Sequence, residues 1–336
     1  MTMVSDGLYA YGGVPVSGGA GRLSLIWANE NVFFVDGVNG SAGNPGKKPE
    51  EAVALPSTAV GKASKDAVIY VRPQTTTGSA VMYYRDNITI PVTKPNMSII
   101  GCGATHGNPN TYTGVQLKVA AAATDSHMFD VDGGGLYLEN MRLFGEDMTG
   151  ATASIVNVDI AGSTQRGRGL TVNACIFEEC LGEASLGTTP ILGSVTGGTC
   201  TYLLVENCVF YNCLSGVALI GTSGTLGRVA IRNNVFAGAP GYRGVDVYLS
   251  PGSGEYGSWV EISRNIFSDG LPTGGANNKF IFIIGTGTGI IAGNYFASTA
   301  PTGATGWGPS GTECTIPDTF FMAGNFANEV IVAGQT

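Results

Sequence analysis

Glu146 and Glu179 are the residues whose type and spacing come closest to a catalytic pattern. They stand 33 residues apart, and each has a second acid beside it, Asp147 and Glu178. Glycoside hydrolysis needs two carboxyl groups about 5–9.5 Å apart, one giving a proton and the other acting as base or nucleophile. Two glutamates held that close would raise one pKa, or would need a cation between them. Such a pair could therefore do acid–base work or hold Ca²⁺, and the plain alternative is two solvated acids at the start of loops. Which applies depends on whether the fold brings residues 33 apart in sequence together.

The other reactive residues form weaker patterns. Asp130 and Asp132 in "FDVDGGG" (129–135) lie at i, i+2 ahead of glycines, but the third ligand and distal Glu of a Ca²⁺ loop are missing, so they read as turn acids. His106 and His127 are the only histidines, and neither adjoins a Ser or Cys nucleophile motif. Tyr83, Tyr84, Tyr242, Tyr248 and Tyr256 could offer aromatic faces to a sugar. Of these, Tyr242, Tyr248 and Tyr256 are the ligand-binding candidates, in the loops around 237–259. No cofactor or metal is expected.

A repeat would position these groups. "LTVNACIF" (170–177), "LLVENCVF" (203–210), "VAIRNNVF" (229–236) and "VEISRNIF" (260–267) are variants of one word. Aligned on the last aromatic, the copies end at Phe144, Phe177, Phe210, Phe236, Phe267 and Phe296. Seven and five residues before the aromatic the chain is mostly aliphatic, which is the period-2 signature of a strand with one buried face. In the first copy these columns hold Tyr137 and Glu139. The alternation breaks two or three residues before the aromatic. Asn collects there, a residue that tolerates left-handed backbone and turns. Each word thus predicts a short strand, a sharp bend and a second short strand carrying its Phe inward.

No 3.6-residue period competes between 136 and 336, so there are no crossover helices and no doubly wound sheet. Units of this length that offer each other like surfaces stack as a solenoid, with neighbouring strands about 4.8 Å apart. Equivalent residues then become ladders of Phe, of aliphatics and of Asn. On this alignment Glu146 and Glu179 share a column on consecutive coils, and no column of Lys or Arg accompanies them. Cys175 shares a column with Cys208, and Cys180 with Cys213, which reads as small apolar packing.

Composition agrees with an all-β chain. Gly contributes 52 of 336 residues, charged residues only 12 % and hydrophobic ones 43 %. The net charge of −8 and the lack of a basic cluster argue against a nucleic-acid binder. No apolar run is long enough for membrane insertion, and the start, "MTMVSDGLYAYGG", has neither the basic nor the apolar region of a signal peptide. Seven Cys without a secretion signal are expected to be reduced thiols.

The word Φ-x-Φ-x-x-N-x-F resembles the coils of right-handed single-stranded parallel β-helix proteins of the pectate-lyase-like class. The segment "VFFVDGVNGSAGNPGKKPEEAVAL" (32–55), with "AVIYVRP", "DNITIP" and "NMSIIGCG" after it, looks like the start of phage-encoded members of that class. The resemblance implies a β-helix over 32–300, whose opening segment, 32–70, holds one short capping helix in "PEEAVALPSTAVGKA" (49–63), with Pro56 limiting it. Residues 1–31 are a Gly-rich arm, either flexible or docked on a partner through Leu23, Leu25, Ile26 and Trp27. Residues 301–336 are a loop and terminal strands, forming the last rungs, a cap or a subunit contact.

The same resemblance implies a bacteriophage virion structural protein: a decoration, fibre or spike-like subunit, assembled in the host cytoplasm. It would be a self-associating homotrimer that reaches other virion proteins through residues 1–31. Two alternatives stand beside it. One is a tailspike-like depolymerase, a hydrolase or lyase cutting bacterial surface polysaccharide. The other is a host-glycan-binding adhesin without chemistry.

Overall fold

The computed structural model describes residues 31–74, 83–103, 114–120, 123–124, 127–132, 135–149, 153–161, 166–167, 169–180, 189–196, 199–213, 215–221, 225–237, 245–250, 256–268, 279–297, 307–308, 314–327 and 330–331. It also describes three short strands at Thr2–Val4, Leu8–Tyr11 and Val14–Ser17, paired antiparallel inside the arm. Leu23, Leu25, Ile26 and Trp27 lie outside the described residues. Among the described residues, no helix is long and apolar enough to cross a membrane.

Among the described residues the fold is a right-handed parallel β-helix, all-β apart from its cap. Among the described residues it has three long sheets of stacked parallel strands, which we number I (nine strands), II (eleven) and III (ten). One coil visits them in order. Val217–Gly221 lies in sheet I, Thr225–Arg232 in sheet II and Val235–Ala237 in sheet III, and Val245–Ser250 returns to sheet I one rung on. Each inner strand pairs in parallel with its counterparts one coil before and after, so the sheets run along the tube.

The interior consists of ladders because parallel neighbours in register place like residues over like. Leu170, Leu203, Val229 and Val260 form one aliphatic column and Val172, Val205, Ile231 and Ile262 another, all buried. The Phe ladder runs through Phe177, Phe210, Phe236, Phe267 and Phe296, with ring centroids 4.7–4.9 Å apart and planes within 7° of parallel. Leu143 sits over Phe177 and Leu117 over Leu143, continuing the column with smaller residues.

That pairing corrects the alignment by one residue. Phe144 faces Glu178, not Phe177, and Leu136 and Leu138, rather than Tyr137 and Glu139, pair with Leu170 and Val172. A slip of one would turn Tyr137 and Glu139 inward and Leu136 and Leu138 outward, so burial forbids it. Matching on the aromatic gave the wrong partner because Leu143 and Phe144 are adjacent and both apolar, and the outward one is the aromatic.

The bend between sheets II and III uses two residues. The first takes a left-handed backbone: Asn140, Ala174, Asn207, Asn233, Arg264, Gly293 and Gly324 have φ between 52° and 65°. The second points inward: Met141, Cys175 and Cys208 in the earlier coils, then Asn234, Asn265, Asn294 and Asn325, all buried. Left-handed backbone costs an L residue roughly 1–2 kcal/mol, less for Asn and nothing for Gly. Ala174, at φ 52°, has no side-chain amide to offset this. Replacing Ala174 with Gly should therefore raise stability by about 1 kcal/mol, a gain of about 2–4 °C in thermal melting. An unchanged or lower melting temperature would contradict that geometry.

The first coils are closed by helix α1 (Pro56–Lys62), which buries Pro56, Ala59 and Val60 against the ends of the strands below it. Pro56 limits this helix as expected, by beginning it: the first turn has no use for the missing N–H. The residues before it form a separate 3₁₀ turn at Pro49–Glu51. Asp86 accepts the Ser57 N–H at 2.7 Å, and Lys94 donates to the Val60 and Gly61 carbonyls at 2.7 Å, so both helix ends are satisfied from the first coil. At the far end, Cys314–Thr315, Phe320–Ala323 and Phe326–Ala327 extend all three sheets, and Val330–Ile331 folds back antiparallel on the last of them.

Candidate functional site

On the outer face of sheet III, one column reads Arg85, Lys118, Phe144, Glu178, Tyr211 over successive coils. The column beside it begins Gln116, Arg142, Ile176, Val209. Basic and acidic residues thus meet across rungs. Lys118 forms an ion pair with Glu146, the Arg142 Nε donates to Glu178 Oε2 at 2.6 Å, and Arg85 pairs with Asp147 at 2.8 Å. The Lys118 ammonium lies 4.4 Å from the Tyr83 ring centre and 5.5 Å from that of Phe144, with Arg142 4.8 Å from the latter. Tyr83 meets Phe144 edge-on at 5.1 Å.

Two expectations change here. Basic residues do accompany the acids, and they come from the coils at 115–118 and 141–144. Glu146 and Glu179 also do not share a column, because the one-residue shift puts Gly145 opposite the 178–180 turn. The Gly145 N–H donates to the Glu178 carbonyl, and a side chain at 145 would lie 2.6 Å from the Cys180 sulfur.

The two acids are still close enough to interact. Glu179 is pushed above the ordinary glutamate range first by burial, then by the charges of Glu146 and Glu178, with Lys118 and Arg142 opposing. A carboxyl group pushed above its ordinary range beside other carboxyl groups is the usual arrangement for general acid catalysis. Its neighbours are not available as a base, however, because Lys118 holds Glu146 and Arg142 holds Glu178. Among the described residues, no three His, Cys, Asp or Glu side chains converge as a metal cage.

Because the folded state binds the Glu179 proton more tightly than the unfolded chain does, stability falls as pH rises from the ordinary glutamate value through the raised one. Glu179→Gln should thus melt higher than the parent at pH 7, and the difference should vanish near about pH 4. A variant that melts lower at pH 7 would mean that the carboxylate is stabilised in place.

The remaining candidates are structural or fall outside the description. Tyr84 is buried; its hydroxyl donates to the Arg72 carbonyl at 2.6 Å and accepts the Gly37 N–H at 2.9 Å, so its ring is closed to a sugar. It seals a corner where the hydrogen bonds from Asn39, Val38 and Arg72 outweigh burial and hold Asp36 below the ordinary carboxylate range. Tyr248 points outward from sheet I but stacks on Phe282 at 5.2 Å. Tyr242, the side chain of Tyr256, and His106 lie outside the described residues.

Asp130 accepts from Asn157 at 2.9 Å across a rung, and Asp132 lies exposed just beyond the strand. His127 Nδ1 lies 2.8 Å from Ser154 Oγ, a proximity the sequence did not suggest. Ser154 is fully buried, so this contact is a ladder hydrogen bond and not a nucleophile open to substrate. Cys175, Cys180, Cys208 and Cys213 are buried free thiols. Burial pushes Cys175 up to about 12 and Cys180 and Cys208 well above the usual thiol range, so they pack as small apolar groups.

No family model, curated protein or solved structure matches the chain.

Proposed function

We propose that this chain is a structural subunit of a bacteriophage particle, a decoration, fibre or spike-like element, and that it acts as a stiff β-helical rod without catalysis. The observation that supports this most is the internal pairing of the outer acids. Glu146, Glu178 and Asp147 each meet a base of the same chain, so the charges near Glu179 serve to hold neighbouring coils together. Continuous interior ladders and sheets whose inner strands are paired on both sides suit a rod that must resist proteases and shear. The phage assignment comes from the likeness of 32–103 and of the coil words to such proteins. Mass spectrometry of gradient-purified particles should find the chain in stoichiometric amount. Its absence from particles would overturn the proposal.

A polysaccharide depolymerase is the second reading, favoured by the raised Glu179 beside Glu146 and Glu178. Incubation with host capsule or lipopolysaccharide should release no new reducing ends and no unsaturated uronate. Release that is abolished by Glu179→Gln would replace the structural reading with the enzymatic one.

A further inference from the structure

The coils at 170–180 and 203–213 keep one register through two bends, and each bend is followed by a cysteine. Ile176, Phe177 and Glu178 pair with Val209, Phe210 and Tyr211, and just beyond them the Glu179 N–H donates to the Tyr211 carbonyl. Glu179 and Asn212 then take the same left-handed backbone, at φ 58° and 52°. Cys180 and Cys213 follow in equivalent places, both buried and both free thiols. At the earlier bend Ala174 and Asn207 turn alike and bring Cys175 over Cys208, whose neighbour Val209 donates its N–H to the Cys175 carbonyl. The later corner differs from the earlier one in two respects. The Cys180 and Cys213 thiols are in hydrogen-bonding contact with each other. Gly145 stands on the far side of Cys180, where Met141 stands over Cys175, so no side chain crowds the Cys180 sulfur.

We propose that Cys180 and Cys213 are a disulfide site, closed by a small-molecule disulfide such as oxidised glutathione, and that the bond clamps one coil to the next. Parallel neighbours in register stand about 4.8 Å apart, inside the roughly 4.4–6.8 Å between Cα atoms that a disulfide spans. Cys213 Sγ already leans toward the coil of Cys180, 3.6 Å from the Phe177 carbonyl oxygen. The exchange runs in two steps. One cysteine loses its proton and its sulfur attacks glutathione disulfide, forming a mixed disulfide and releasing one glutathione thiolate. The other cysteine, also deprotonated, attacks the mixed disulfide at the protein sulfur and releases the second. Two protein thiols are oxidised, one glutathione disulfide is reduced to two glutathione thiols, and the protons pass to those thiolates. Burial holds the Cys180 thiol well above the usual thiol range, so the exchange runs while the coils are forming and is slow once they have closed. In a compartment kept reducing by glutathione the pair stays as two thiols, and in an oxidising one it closes. The inference goes beyond the particle assignment and does not rest on it.

The test is to produce the full chain in an oxidising bacterial cytoplasm, where glutathione disulfide accumulates, and in parallel in an ordinary reducing one. Each sample is alkylated under denaturing conditions and weighed intact. The reduced chain should take up seven alkyl groups, one per cysteine, and the oxidised chain two fewer. Chymotrypsin, which cleaves after Phe177, Leu181, Phe210 and Leu214, separates the four cysteines, and the cross-linked peptide should join Cys180 to Cys213. The oxidised chain should also melt about 5 °C above the reduced one, since the bond restrains the unfolded chain. Cys213→Ala, made in the oxidising host, should keep all its remaining thiols. An oxidised sample that still takes up seven groups would overturn the inference, and so would a cross-link joining Cys175 to Cys208 or any other pair. An oxidised chain that melts lower than the reduced one would show that the bond forms only by displacing the coils, and would refute it as well. If Cys213→Ala does not fold, the peptide map of the parent decides alone.

Discussion

Phe236→Ala should lower stability by about 3–5 kcal/mol and the melting temperature by roughly 10 °C. Phe236 is fully buried between Phe210 at 4.7 Å and Phe267 at 4.9 Å. Its ring also covers Gly216, where a methyl group would lie 2.4 Å from the ring edge. Three neighbours therefore lose contacts at once, and the coils cannot collapse into the void because backbone ladders hold them a rung apart. Phe236→Leu fills most of the space and should cost far less. In a solenoid each coil touches only its neighbours, so the loss falls on the coupling between the coils of Phe210 and Phe267. Native-state hydrogen exchange should show protection lost there first, with the helix-capped end retaining it. A loss below about 1 kcal/mol would mean that the rings do not form one column.

Asn265→Ala should cost a similar amount for a different reason. Asn265 is fully buried, and its amide joins three coils. Its Oδ1 accepts from the Asn234 N–H and Nδ2, both at 3.0 Å. Its Nδ2 donates to the Ile231 carbonyl at 2.9 Å and to Asn294 Oδ1 at 3.0 Å. The same pattern joins Asn294 to Asn325, and it begins where the Cys208 N–H donates to Asn234 Oδ1. Truncation strands several buried donors and acceptors together, and each unsatisfied group costs roughly 1–3 kcal/mol. We therefore expect a loss of about 3–5 kcal/mol by chemical denaturation. Asn233→Gly, at the left-handed position one residue before Asn234 in the preceding coil, should be nearly neutral. Equal effects of the two variants would show that the Asn column is solvated and not a buried ladder.

Much of this was legible in the sequence because a solenoid must repeat itself. The alternation in "LLVENCVF", "VAIRNNVF" and "VEISRNIF" identifies the inward columns, and the Asn at the break marks the bend. What failed was the copy at 136–144, where Leu143 and Phe144 are both apolar and only pairing with Val172 and Phe177 decides which turns inward. The charge partners were hidden for a related reason. Lys118 belongs to "VQLK" (115–118), a rung whose inward residue is Leu117, so it has no aromatic by which to align it. Without that rung Glu146 looks unaccompanied. Tyr83 and Tyr84 are neighbours of one type, and only the carbonyl of Arg72 and the N–H of Gly37, distant in sequence, show that the second is inside.

An experimental density map of the chain at side-chain resolution tests the shared register most directly. The account predicts Phe177, Phe210, Phe236, Phe267 and Phe296 as near-parallel rings in one column, with Leu143 and not Phe144 above Phe177. A map with Phe144 over Phe177, or with these rings dispersed among separate cores, would contradict it.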